Sequence, residues 1–168
     1  MGLFNRGDHP TVRFQMREDL ISFGDDYWIE DHDGHKAFRV DGKALRIRDT
    51  WRLEDASGNE VATIRERKLI VRDSMTIEVR GKKAVVKKKL VSIRDKFHIE
   101  MGDGPDLEAH GDIVDHEYKI DRDGDKVAEC SKKWFRMRDT YGIEVDASVD
   151  PALIIAITVA IDALSHND

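Results

Sequence analysis

The chain has 168 residues, 40% of them hydrophobic and 37% charged, with a formal net charge of −6. This size and balance describe one globular domain with a densely charged surface, and they carry no global bias towards nucleic acid or an anionic membrane. The single cysteine, Cys130, excludes an internal disulfide and suits a reducing cytosol.

No apolar run follows Met1, so no signal peptide is expected. Met1-Gly2-Leu3-Phe4-Asn5-Arg6 begins like a myristoylation site but places Arg where Ser or Thr is required. Residues 1–10 read as a mobile N-terminus ended by Pro10, and residues 11–168 as one domain. Thr11 to Phe23 carry Val12, Phe14, Met16, Leu20, Ile21 and Phe23, and are expected to supply a first strand that runs into a turn at Asp25.

From there a pattern recurs every 21–24 residues: aromatic or Met, any residue, Ile or Leu, then an acid. Its copies begin at Tyr27, Trp51, Met75, Phe97, Tyr118 and Tyr141 and end at Glu30, Glu54, Glu78, Glu100, Asp121 and Glu144. Periodicity of this size governs the fold. Two residues before each copy stands Asp25, Asp49, Asp73, Asp95, His116 or Asp139, so His116 breaks a row of aspartates. Glycine follows the first five copies, at Gly34, Gly58, Gly81, Gly104 and Gly124. Asp folds back on its own backbone and Gly accepts positive φ, so each unit holds two turns. Between them the residues alternate: Met75, Ile77 and Val79 oppose Thr76 and Glu78, the signature of a half-buried antiparallel strand. Two strands per unit give roughly a dozen, which points to an all-β barrel or sandwich.

After Val145 the repeat stops. Asp150 suits an N-cap and Pro151 the first helical position, and from Ala152 to Ile161 the only polar side chain is Thr158. A helix that is apolar all round is buried on every side or lies in a membrane. Its apolar stretch is shorter than the ~20 residues a membrane span needs. The expectation is therefore a helix over about 151–164, threaded through a closed antiparallel barrel. A β-trefoil also has six hairpins, but it groups them in threes and has no central helix.

These features together resemble the LURP-one-related family of the tubby C-terminal-like superfamily. The resemblance rests on the Arg-Asp-x-aromatic-x-Ile-Glu units, the strand Gly58-Asn59-Glu60-Val61-Ala62-Thr63-Ile64 and the apolar helix after Asp150-Pro151, and runs from about Thr11 to Leu164. It implies a twelve-stranded barrel around a central hydrophobic helix. The superfamily includes phospholipid scramblases and the phosphoinositide-binding tubby domain, so it also implies a lipid- or anion-binding role.

Catalytic signatures are missing: the chain has no Gly-x-Ser-x-Gly, phosphate loop, His-Glu-x-x-His or Cys/His metal spacing, and no cofactor is expected. The repeated acids lie opposite the apolar face and read as solvated. Asp112, Asp115, His116 and Glu117 lack a defined ligand spacing. Asp31-His32-Asp33-Gly34 and Asp121-Arg122-Asp123-Gly124-Asp125 fit hairpin turns and miss the calcium-loop pattern. The most unusual segment is basic. Lys82, Lys83, Lys87, Lys88 and Lys89 fall within ten residues that hold no acid, near Arg65, Arg67, Lys68 and Arg80. A strand presenting them would form a positive patch for anionic phospholipid or phosphoinositide head groups, or for a protein partner, at about 1 kcal/mol per lysine near an anionic surface. The plainer alternative is a lysine-protected strand edge. Lys132-Lys133 before Trp134-Phe135 forms a smaller basic–aromatic pair. Nucleic acid is disfavoured, because most aromatics fall on the core face. The sequence thus reads as a non-enzymatic binding module of the cytoplasm, peripheral to a membrane if at all. The alternatives are an enzyme with an unrecognised site and a scramblase-like protein associated with membrane through its helix.

Overall fold

A computed structural model describes residues 10–17, 26–41, 50–68, 73–89, 96–134 and 140–166. Residues 1–9 of the expected mobile N-terminus (1–10) and the turn aspartates Asp25, Asp49, Asp95 and Asp139 lie outside the described residues. Twelve strands close into an antiparallel barrel: β1 (Thr11–Arg17), β2 (Tyr27–Asp31), β3 (Lys36–Asp41), β4 (Thr50–Asp55), β5 (Glu60–Lys68) and β6 (Asp73–Val79), followed by β7 (Lys82–Lys89), β8 (Lys96–Met101), β9 (Leu107–Asp112), β10 (Glu117–Arg122), β11 (Asp125–Ser131) and β12 (Thr140–Asp146). Each strand pairs with its neighbour in sequence, and β1 pairs with β12 to seal the cylinder. The helix α1 (Pro151–His166) follows β12.

The closure corrects the count of two strands in every unit. The sixth copy supplies one strand, β12, and its partner is β1 from the other end of the chain, with Val12 opposite Val145 and Phe14 opposite Ile143. The sixth hairpin is therefore split between the chain ends, which leaves no unpaired strand edge.

Alternation decides what fills the barrel. Ile29, Leu53, Ile77, Ile99, Ile120 and Ile143, the third residue of every copy, are all fully buried. The first residues are buried too, except Tyr27, which is half-buried. They meet α1, whose residues Ile154 to Ile161 are buried on all sides. At 16 residues the helix is about 24 Å long, close to the length of a tilted barrel strand. Its β-branched residues are mediocre helix formers, so the barrel wall holds it helical. Asp150 caps it, accepting the Ala152 amide at 3.0 Å.

Gly-containing turns gather at the end where α1 enters. Two are built alike: Asp31 accepts the amides of Asp33 and His35, and Asp55 those of Ser57 and Asn59, each at 2.9 Å. These amides hold both carboxyls below their ordinary value, the His35 and Asn59 amides most strongly. Folding therefore gains stability from them above the ordinary carboxylate pKa and loses it as pH falls through the depressed values. An Asp55→Asn variant is expected to lose less of its melting temperature on acidification below that range than the parent does, measured by thermal melts across pH.

At the opposite end the helix buries its one acid. Asp162 accepts the Tyr141 hydroxyl at 2.7 Å and lies 3.3 Å from Nε2 of His116, whose ring stacks on Tyr141 with centroids 4.1 Å apart. The residue that breaks the aspartate row is thus the one facing the helix carboxylate. An aspartate at 116 would set two buried carboxylates against each other. Thr158, the other polar residue in the apolar run, bonds the Ile154 carbonyl within its own helix. Replacing Asp162 with Ala strands His116 and Tyr141 in the core and is expected to cost about 3–5 kcal/mol, read by chemical denaturation.

Candidate functional site

The outer wall is a lattice of cross-strand charge pairs. Of the six repeated acids, Glu54 meets Arg39 at 2.7 Å, Glu100 meets Lys87 at 2.7 Å, Glu144 meets Arg13 at 2.6 Å and Asp121 meets His110 at 2.5 Å. The solvated-face expectation is refined accordingly: the acids face outward, but most are engaged by a neighbouring strand. Such exposed pairs contribute at most about 1 kcal/mol each. An apolar interior and a charged exterior invert the pattern of a membrane-spanning barrel. Among the described residues no helix is long and apolar enough to cross a membrane.

The five lysines of β7 do not share one face. Lys83, Lys87 and Lys89 alternate outward, and Lys87 is held by Glu100. Lys82 and Lys88 have the inward parity of Ala84 and Val86, so they stand where the lining row runs out at opposite ends of the strand, about 20 Å apart at 3.3 Å per residue. Lys82 and Lys83 alone reach the mouth where α1 enters.

That mouth holds a cavity of about 440 Å³. Its charged lining is Arg80, Lys82, Lys83 and Arg122 against Asp103 and Asp150. Met101, Leu107 and Leu153 give it an apolar side. Arg122 reaches the mouth as Lys82 does, standing two residues beyond the inward Ile120. Arg80 sits in the two-residue β6–β7 turn with φ 49, beside Gly81 with φ 81; the β10–β11 turn repeats this geometry with Asp123 and Gly124 at φ 52 and 84. Such turns favour Asn, Asp and Gly, so an Arg in this conformation is unusual. The Gly102 amide donates to the Lys83 carbonyl at 2.8 Å, and a Cβ on Gly102 would approach that oxygen to 2.9 Å, so glycine lets the β8–β9 loop lie against this wall.

Arg80 Nε donates to Asp150 at 3.0 Å. Lys82, Lys83 and Arg122 make no ion pair among the described residues. Three cations without a carboxylate partner in a partly apolar hollow suit a ligand with a compact negative charge. The sequence pattern around β7 pointed to Lys82 and Lys83 but not to Arg122, Asp103 or Asp150. The available signal was parity: a basic residue one inward step beyond an apolar lining row stands on the rim.

A second hollow of about 440 Å³ lies on the outer wall of β8–β10. It contains His98 paired with Asp106 at 3.0 Å and His110 paired with Asp121 at 2.5 Å, so both imidazoles are occupied by carboxylates. The Met101 amide, ahead of His98, holds the Asp106 carboxyl below its ordinary value. Asp31, Asp33 and His35 approach one another at the β2–β3 turn, where one Asp31 oxygen already accepts two amides. Asp112, Asp115, His116 and Glu117 do not converge. Asp112 accepts the Asp115 amide at 3.1 Å, His116 turns into the barrel, and Glu117 accepts the Ser131 hydroxyl and Lys132 amide, each at 3.0 Å. Trp134 is half-buried with Arg13 stacked 4.8 Å from its ring centre, and Phe135 lies outside the described residues.

A family model described as LURP-one-related matches residues 12–162, from β1 into the last turns of α1. The chain belongs to the LURP-one-related family. It is similar to YxjI, an uncharacterized protein of Bacillus subtilis (strain 168), with 28% identity over 159 residues, covering 94% of this chain and 96% of YxjI. Its fold is similar to a solved X-ray structure of a protein from Arabidopsis thaliana, with a TM-score of 0.65 and 16% identity, covering 94% of this chain and 93% of that one. That likeness concerns the twelve-stranded, helix-filled barrel alone.

In this LURP-one-related chain Cys130 is fully buried, and burial pushes its thiol up to about 12. Burial likewise raises the Tyr118 and Tyr141 hydroxyls well above their ordinary value. A thiol of this kind stays protonated at neutral pH and is a poor nucleophile. Iodoacetamide at pH 8 is expected to leave Cys130 unlabelled in the folded protein and to label it fully in denaturant, as read by intact-mass spectrometry.

Proposed function

We propose that this LURP-one-related protein is a non-enzymatic binding module that holds a phosphate-bearing anionic group in the cavity at the helix-entry mouth. The observation that carries this reading is the set Lys82, Lys83 and Arg122, three rim cations around one hollow with no carboxylate partner among the described residues. The cavity volume falls within the range of small-molecule sites, roughly 300–1,000 Å³. Its mixed lining suits a charged head attached to an apolar stem, as in an anionic phospholipid or phosphoinositide. Lys87, Lys88 and Lys89, further along β7, would extend the positive face towards a lipid surface without entering the cavity. The non-enzymatic reading is supported by the raised Cys130 thiol and by an interior filled by α1. The proposed setting is the cytoplasm, with the rim meeting an anionic membrane face peripherally.

The test is binding at low salt to phosphatidylserine-containing vesicles, to phosphoinositide-containing vesicles and to free inorganic pyrophosphate. The triple variant Lys82→Gln/Lys83→Gln/Arg122→Gln should lose about a hundredfold in affinity, the scale of ~1 kcal/mol per charge at an anionic surface. Lys87→Gln/Lys88→Gln/Lys89→Gln should lose no more than a few-fold. Equal losses in the two triple variants would move the site to the outer wall of β7, and a wild-type protein that binds none of these probes would end the reading.

A further inference from the structure

The cavity already contains a carboxylate. Asp150 lines it, with its side chain 35% exposed, and Asp150 Oδ2 receives the Arg80 Nε–H at 3.0 Å while Oδ1 caps the Ala152 amide at 3.0 Å. One residue therefore performs two tasks: it starts the central helix, and it neutralises a rim cation. We propose that Asp150 is a tethered competitor for the ligand, occupying with its carboxylate the position against Arg80 that an incoming phosphate group would take. This rests on the anion-binding reading of the cavity and adds its regulation.

Three features support the competition. First, Arg80 is held at the mouth by a turn whose conformation disfavours it, with φ 49. Residues kept in such a sparsely populated region commonly mark ligand clamps and switches. Second, the contact uses Nε, and the terminal guanidinium nitrogens make no hydrogen bond among the described residues. Asp150 thus blocks the bidentate edge of the guanidinium that includes Nε, and the terminal nitrogens stay available to a phosphate that takes its place. Third, the competitor is weaker than the ligand it imitates. A phosphate group carries about −1.5 to −2 charges and three acceptor oxygens, against one charge on Asp150. A phosphate that also meets Lys82, Lys83 and Arg122 displaces the carboxylate from Arg80 without removing the cap, because Oδ1 and Oδ2 serve different partners. The like charge of Asp150 then sets a threshold against weakly charged ligands.

Asp150→Asn separates the two tasks. Asn caps helices as well as Asp does, so α1 keeps its start while the competing charge is lost. Arg80→Asn is a companion that suits its turn, since Asn-Gly is the favoured pair for two residues at positive φ. Binding of inorganic pyrophosphate by calorimetry, and of phosphatidylserine-containing vesicles by sedimentation, is compared across wild type, Asp150→Asn, Arg80→Asn, their double variant and Asp103→Asn. Melting curves and circular dichroism confirm that each variant is folded. Asp150→Asn should bind about tenfold more tightly, the order expected for removing one like charge at a partly screened rim. The gain should disappear when Arg80 is also replaced. Asp103→Asn, which removes a lining acid that does not touch Arg80, should gain at most about twofold. Tighter binding of pyrophosphate and vesicles alike identifies the phosphate as the recognised group, and a gain confined to vesicles identifies a lipid head group. Wild-type binding that Asp150→Asn leaves unchanged, or that Asp103→Asn improves equally, overturns the competition and leaves the anion site standing. An absence of binding by every variant overturns both.

Discussion

An apolar helix with no exposed face has to be surrounded, and the architecture follows from that requirement. From Ile154 to Ile161 every residue of α1 is buried, so no open sheet or single layer would cover it. Twelve strands, each contributing alternate side chains, make a wall that does. The helix in turn supplies the core that so wide a barrel would otherwise lack, since barrels of this strand number tend to enclose cavities or channels. Barrel and helix therefore depend on each other. Among the described residues the one acid admitted to the interior, Asp162, is met by the one histidine in the row of turn aspartates.

Filling the barrel with its own chain moves any binding surface to the outside. The interior, which holds the ligand in many β-barrels, is here occupied by Ile, Val and Ala. What remains is the charged outer wall and the two rims. On the wall most repeated acids meet a cation or imidazole from the next strand, and the same pairing quenches Lys87. The rim where α1 enters differs, because the lining rows end there and the next inward residues, Lys82 and Arg122, emerge without an ion pair among the described residues, although Asp103 and Asp150 line the same hollow and Asp125 stands opposite Arg122. Four cations against two acids therefore line the hollow at the entrance of the helix.

The hairpin turns show how a repeated element becomes a specific one. The Asp31 and Asp55 turns use the same backbone, the same carboxylate-to-amide bonds and a glycine at φ 80 or 85, and they serve only to reverse the chain. The β6–β7 turn reverses it in two residues and places Arg80 where a small residue is usual. Its partner, Asp150, lies 70 residues away in sequence and also starts the helix. A local backbone choice is thus joined to the capping of the central element, and charge at the mouth is coupled to the best-buried part of the molecule.

Much of this was legible in the chain. The period-two alternation around Ile77 or Ile99 determines which residues face inward, because a strand has only two faces. The unbroken apolar run after Pro151 determines that the helix is buried, because no exposed helix carries so much apolar surface. The Asp and Gly marks determine where the chain reverses, because few residues accept those backbone angles. Three matters were settled only by the closed structure: that β1 completes the sixth unit, that His116 faces Asp162, and that Lys82 and Lys83 meet Arg80, Arg122 and Asp150 while Lys87 to Lys89 do not. Each concerns residues far apart in sequence and brought together by the curvature of the wall. Alternation assigns a side chain to a face. Only closing the sheet around the helix assigns it a position along and around the cylinder, and charge–charge contact depends on that position.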